Sequence, residues 1–374
     1  MTSSEKTKTF DKDSGRGVST KIFIASLIIA VILSSGITSA YFLTITPTPA
    51  TSKPVKQLVT MTRYVGGLTN DEAPFYAADV EGYFAQNGIS IAPVILEGTS
   101  AAVTAVAADR TGNAFSVGSL VDIVVYQSNN PTATKLVSVA SLGNVNPVGV
   151  LYLKSSGISK AQDLVGKTIG TPQGSLSARM FGAFLKRQGL DGKVTIQNVG
   201  FPGLAPALFS KKVDAIVQYA AAYGGLDQQA QAIHDRMGFF FLSDYGMPPT
   251  GLGLIVQKSL ADNRPQVVQA IVNATLSGVK FCIVSTALCV ADFIKVNPTF
   301  QFPDSFATMQ LDWNFTYGPP FNDLAKVKQL SPLQLAWRDP SQVTGVVQLA
   351  QEVFGATGNI DPNTLFTNQF AQHP

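Results

Sequence analysis

Along most of the chain, short runs in which apolar and polar positions alternate are followed by longer runs with apolar residues at helical spacing. Residues 57–64 and 89–95 alternate and predict strands. Between them, residues 73–87 carry a helical pattern that stops at Gly88, a residue that accepts the positive φ of a helix end. A small Ala-rich helix fits 100–108 and a third strand fits 114–117. Ser119 and Asp122 have capping-box spacing, which starts a helix over the following residues, and a fourth strand fits 135–141. Strands separated by helices imply a mostly parallel sheet covered on both faces.

A second unit begins near Asn146. Strands fit 148–153, 168–171, 193–199, 213–219 and 239–242, and helices fit 176–188 and 204–210. Ser159 and Gln162 have capping-box spacing again, and Gly174-Ser175 forms a turn before the 176–188 helix. The apolar run 251–257 reads as a buried strand on the way back. Helices then fit 265–281, 286–296, 303–313, 320–330 and 343–354, and the tail from Asn359 has no strong period. This order predicts an α/β protein with two Rossmann-like lobes joined by two crossings. Lobe A takes 56–146 and 246–374, and lobe B takes 147–245. Two crossings make a hinge, and a hinged cleft suits closing on a ligand.

The N-terminal part follows another rule. Residues 1–21 are polar and end in Lys21, and residues 22–43 carry no charge. As a helix that run would span about 33 Å, enough for a bilayer core. The positive flank favours a cytoplasmic N-terminus. Two readings stay open: a retained single-span anchor, or a long signal peptide cut after Ala40. Residues 44–55, rich in Thr and Pro, form an extended stalk. Either topology places the rest outside the cell membrane, where no nucleotide cofactor is expected and none is assigned.

Composition narrows the function. Charged residues make up 14% of the chain, and 27 basic against 24 acidic side chains leave a formal charge of +3, too small a surplus for a nucleic-acid binder. Two histidines and two cysteines offer little for a zinc site. His234 falls in a polar helical stretch and His373 in a tail expected to fray. Gly166-Lys167-Thr168 lacks the spacing of a phosphate loop. Cys282 and Cys289 are too far apart to bridge on one uninterrupted helix, about 10 Å along the axis, but a break at 283–285 would bring them together. Packing as two buried thiols is the other reading. Asn273 and Asn314 begin glycosylation signals.

Three stretches in order carry a family resemblance: residues 69–91, residues 97–123, and residues 157–175 followed by 213–217. Through them the chain resembles the SsuA/THI5-like, or NMT1-like, substrate-binding proteins of ABC uptake systems for nitrate, sulfonates, taurine or thiamine precursors. The resemblance implies a periplasmic-binding-protein-like fold and a small-molecule solute held non-covalently in the cleft. It also implies an ABC permease and its ATPase subunits as partners. The ligand positions that it carries over are Tyr64, Asn70, Asp71 and Glu72; Thr99 and Ser100; Ser116 and Ser119; and Gln173, Gly174 and Ser175. Tyr219 and Tyr223 follow the last strand of lobe B and are candidates too.

Elementary chemistry points the same way. Ligands of open parallel sheets bind outside the carboxyl ends of strands. Ser100, Ser119 and Ser175 each follow such an end and precede a helix, whose first N–H groups lack partners. Capping their own helices is the plainer role for these serines. Asp71 and Glu72 would repel an anion and suit a cationic or N–H-rich solute, unless they only serve a helix dipole. Tyr64, Phe75, Tyr219 and Tyr223 offer aromatic faces, or core packing. The reading leans to a thiamine-pyrimidine-like or other heterocyclic solute. Its alternatives are a sulfonate or nitrate receptor, a pyrimidine-precursor synthase-like enzyme and a membrane-tethered sensory domain.

Overall fold

The computed structural model describes residues 58–66, 72–96, 98–142, 148–172, 175–219, 222–298 and 328–373. All lie in the unit Gln57–Pro374. The expected N-terminal segments 1–21, 22–43 and 44–55 lie outside the described residues, as do Asn70, Asp71, Gln173, Gly174, Asn314, the helix expected over 303–313 and most of that over 320–330.

In chain order the first lobe is built from β1 (Val59–Val65), α1 (Ala73–Val80), α2 (Tyr83–Gln86), β2 (Ile89–Ile95), α3 (Thr99–Ala108), β3 (Ala114–Gly118), α4 (Leu120–Asn129) and β4 (Leu136–Ser141). The second contains β5 (Val148–Leu153), β6 (Thr168–Thr171), α5 (Leu176–Arg187), β7 (Thr195–Asn198), α6 (Phe201–Phe209), β8 (Ala215–Tyr219), α7 (Tyr223–Ala232) and β9 (Met237–Phe241). The chain then returns through β10 (Gly253–Gln257), α8 (Lys258–Asn263), α9 (Pro265–Val284), α10 (Thr286–Val296), α11 (Pro332–Leu335) and α12 (Val343–Phe354). The sheets have the orders β2-β1-β3-β10-β4 and β7-β6-β8-β5-β9.

Strand direction places the two edges. β1, β2 and β3 run parallel, while β10 is antiparallel to both β3 and β4. In the second sheet β6, β7 and β8 run parallel, with β5 antiparallel to β8 and β9. The first crossing therefore leaves the carboxyl end of β4 and enters β5 beside the carboxyl end of β8, where Val148 pairs with Tyr219. The second leaves the carboxyl end of β9 and enters β10 at Gly253, paired with Gly118 at the end of β3. Both crossings join the carboxyl edges, so the helix-starting turns of both lobes stand at the edges that the crossings connect.

Several local expectations change. The helix over 73–87 is broken at Gly82, whose φ of +74° ends α1 and starts α2. Tyr223-Gly224-Gly225 is the first turn of α7, and His234, expected within a polar helix, follows that helix with φ +58°. At the 159–163 turn, Asp163 rather than Gln162 closes the box, accepting the N–H groups of Ser159 and Lys160. The tail does not fray. Ser138 N–H donates to Leu365 O at 2.9 Å, Thr367 N–H donates to Ser138 O at 2.9 Å, and the His373 ring lies 4.6 Å from that of Trp337.

α9 is long and apolar enough to cross a membrane by composition alone, but it is the first lobe's core helix, with Val268, Ile271, Val272 and Ala274 fully buried. Gly278 explains its close seat on α1, because a Cβ there would lie 2.3 Å from Pro74 O. At Ser285 the backbone leaves the helical region (φ −130°, ψ 53°). The chain turns, and Cys282 and Cys289 form a disulfide with their Cα atoms 4.9 Å apart. α12 packs on α4 of the first lobe and α5 of the second, within one apolar cluster that includes residues of both.

Candidate functional site

At the carboxyl edge of the first lobe, the end of β1 meets the start of α3. Gly98 N–H donates to Gly66 O at 2.9 Å. A Cβ on Gly66 would stand 2.8 Å from Thr99 N, so only glycine lets the two turns touch. Gly98 has φ +91°, which turns the chain from β2 into α3. Thr99 is half-buried and Ser100 exposed there.

The next turn is knitted to this one by a residue that the sequence reading used only as a cap. Asp122 Oδ2 accepts from the Ser119 N–H at 3.0 Å and the Ser119 hydroxyl at 2.7 Å, while Asp122 N–H donates back to Ser119 Oγ at 3.1 Å. Its other oxygen, Oδ1, accepts from the Ser100 hydroxyl at 2.5 Å. Two serines from two helix starts thus converge on one carboxylate. The alternation of Thr62 and Tyr64 with Arg63 in β1, and of Ser116 and Gly118 with Val117 in β3, places Tyr64 and Ser116 as cross-strand partners on one face. Ser116 is fully buried and its hydroxyl has no hydrogen-bond partner among the described residues.

Glu72 stands differently from its expected place as a carboxylate awaiting a solute. It heads α1, is 8% exposed, and forms an ion pair with Arg63 of β1, which is 2% exposed. The Arg63 guanidinium lies 3.8 Å from the centroid of Phe75 and 6.0 Å from that of Tyr76. Phe75 is core, covered by this cation. Burial pushes the Tyr76 phenol up, Arg63 pulls it down and Glu72 adds to the rise, leaving it above its ordinary value. Alternation marked β1, but nothing in the sequence pairs Arg63 with a residue beyond the turn.

On the second lobe, Ser175 caps α5, accepting from Ala178 N–H at 3.1 Å, and its hydroxyl lies 2.9 Å from Ser177 Oγ. Tyr219 is half-buried at the end of β8, on the carboxyl edge. Tyr223 turns away from that edge. Its hydroxyl donates to Met237 O at 3.2 Å and its ring lies 5.1 Å from Phe239, while burial holds its pKa above the ordinary value. A separate pocket lined by Ser155, Ser156, Lys211 and Asp214 lies at the amino edge of this lobe and includes none of these residues.

Among the described residues, no three His, Cys, Asp or Glu side chains are grouped to hold a metal ion. Residues 69–285, more than half of the chain, match the family model described as NMT1/THI5 like. The chain belongs to the NMT1/THI5-like family. No curated relative matches the chain in sequence. Solved structures with the same fold include a putative periplasmic sulfonate-binding protein SsuA of a sulfonate ABC transporter from Methylobacillus flagellatus KT. It is 16% identical, with a TM-score of 0.57 over 84% of this chain and 93% of that one. The periplasmic aliphatic sulphonate binding protein SsuA from Escherichia coli is 14% identical, with a TM-score of 0.55 over 70% of this chain and 84% of its own. A Candida albicans protein described as having the generic periplasmic binding protein fold is 12% identical, with a TM-score of 0.53 over 85% and 98%. At these identities the likeness concerns the fold.

Proposed function

We propose that this NMT1/THI5-like protein is the extracytoplasmic receptor of an ABC uptake system and binds a small organic sulfonate between its lobes. The observation that carries this reading is the Arg63–Glu72 pair. It neutralises Glu72, one of the two acidic residues of the first turn expected to repel an anion. The heterocycle reading drew on Asp71 and Glu72 as carboxylates and on Tyr64, Phe75, Tyr219 and Tyr223 as aromatic faces. Glu72 is engaged by Arg63, Phe75 is covered by the same guanidinium and Tyr223 donates to Met237 O, so these three supports weaken. The helix starts at Thr99 and Ser175 supply N–H groups for an oxyanion at the carboxyl edges. The sulfonate-binding proteins among the structural neighbours support the same class. The Cys282–Cys289 disulfide suits an oxidising compartment outside the cytoplasm. Permease and ATPase subunits are the partners proposed, and residues 22–43 the membrane attachment.

Calorimetry of the full chain against ethanesulfonate, 2-aminoethanesulfonate, nitrate and a 4-aminopyrimidine tests the reading. Saturable heat with a sulfonate supports it. Binding of the pyrimidine alone transfers the assignment to the heterocycle class, and silence from all four removes both.

A further inference from the structure

One buried charge has no answer in the fold. Arg338, in the segment after α11, is 3% exposed, and no carboxylate among the described residues forms an ion pair with it. Its Nη2 donates to Leu252 O at 2.7 Å, while its Nε is buried with no partner among the described residues. Burial pushes its pKa down to about 10, so the guanidinium keeps its charge at neutral pH. A buried cation without a counter-ion is costly, and an unmade hydrogen bond adds to the cost. The surroundings hold this charge in place. Asn368 grips Arg338 from both sides, accepting its N–H at 3.0 Å and donating to its carbonyl at 2.8 Å. Gly253 makes way for it. A Cβ there would stand 2.9 Å from Arg338 Nη2 and 2.4 Å from Ser138 Oγ. The Ser138 hydroxyl is buried too, and its bond to Ala140 O, at 3.4 Å, is long for an O–H donor. A guanidinium and an under-used hydroxyl thus meet over one glycine. Leu252 O also accepts from Leu142 N–H at 3.0 Å. Leu142 follows β4 and Leu252 precedes β10, so this cluster of donors stands where the two crossings touch.

We infer that Arg338 and Ser138 form a site for a small monovalent inorganic anion, of the class of chloride, at the junction of the two crossings. One negative charge matches one guanidinium, whereas a divalent anion would leave a net charge buried. The enclosure of Arg338 suits an ion without a tail and excludes a solute that must enter and leave with each transport cycle. The site is therefore separate from the proposed solute site and does not rest on it. By neutralising Arg338, the anion steadies the donor to the carbonyl that both crossings share.

The test titrates sodium chloride into the full chain with no sulfonate present, at constant ionic strength balanced by sodium gluconate, and follows the melting temperature. Wild type should show a saturable rise, as for any ligand that binds only the folded state. Arg338→Gln should weaken the apparent chloride affinity by about tenfold or more, because a charged hydrogen bond is lost. Ser138→Ala should weaken it a few-fold. Anomalous diffraction from a crystal soaked in sodium bromide should place the ion within hydrogen-bond reach of the Arg338 guanidinium. Where Arg338→Gln does not fold, Ser138→Ala and the bromide position decide. A melting temperature indifferent to chloride, an unchanged response in folded Arg338→Gln, or bromide absent from Arg338 would each overturn the inference. So would displacement of that bromide by ethanesulfonate, which would assign Arg338 to the solute instead. Failure of the four solutes to bind in calorimetry leaves this prediction intact, since the chloride titration contains none of them.

Discussion

Arg63 of β1 and Glu72 at the head of α1 form an ion pair sealed from solvent, with the guanidinium resting on the Phe75 ring. Removing one partner strands the other charge in an apolar core. Arg63→Met should therefore cost about 3–5 kcal/mol in urea unfolding. The double variant Arg63→Met, Glu72→Gln should recover a large part of that loss, because no uncompensated charge remains. A single variant as stable as wild type would show that the pair contributes nothing.

Cys282 and Cys289 close a short loop around the break at Ser285. Chain-entropy reasoning gives a bridge of this length about 2 kcal/mol. Reduction by dithiothreitol, or Cys282→Ala with Cys289→Ala, should lower the melting temperature by a few degrees and leave the far-UV circular dichroism unchanged. Thiol titration of the untreated, denatured protein should find no free cysteine.

Asp227 supplies a pH signature. Burial raises its pKa, but the Arg236 guanidinium at 2.7 Å and the Met237 N–H at 2.8 Å outweigh that and hold it below its ordinary 3.8. A carboxylate depressed in the folded state contributes stability above its unfolded pKa and loses it as pH falls through the folded one. Asp227→Asn should thus destabilise the protein at pH 7 by roughly 1–3 kcal/mol. The gap to wild type should shrink below about pH 4. A gap that stays constant down to pH 2 would exclude this ion pair as the source.

Gly66 tests the site without touching the core. A methyl group there would collide with Thr99 N, so Gly66→Ala must displace the first turn of α3. Solute affinity should fall by about tenfold or more. The loss of stability should stay near 1–2 kcal/mol, because the turn is on the surface.

How much of this was legible beforehand follows from the range of each interaction. Alternation and helical spacing are local, so β1, β2, α5 and the return through β10 could be read residue by residue. Capping at Ser119 and Ser175 is local as well, since donor and acceptor lie three residues apart. What escaped depends on partners brought together by the fold. Nothing near Arg63 in sequence announces Glu72 across the turn. The Ser100–Asp122 bond joins residues 22 apart. Tyr223 looked like a face for a ligand because its position after β8 was known and its partner Met237 was not. The disulfide was the middle case: the spacing forbade one continuous helix, and Ser285 supplied the break.

α12 has a mechanical consequence. Because it is wedged against α4 and α5 and tied to the second lobe by Arg187–Glu352 at 2.6 Å, pulling the lobes apart on that flank would tear a shared oily seam. Any gape must therefore pivot about this flank, like a book about its spine.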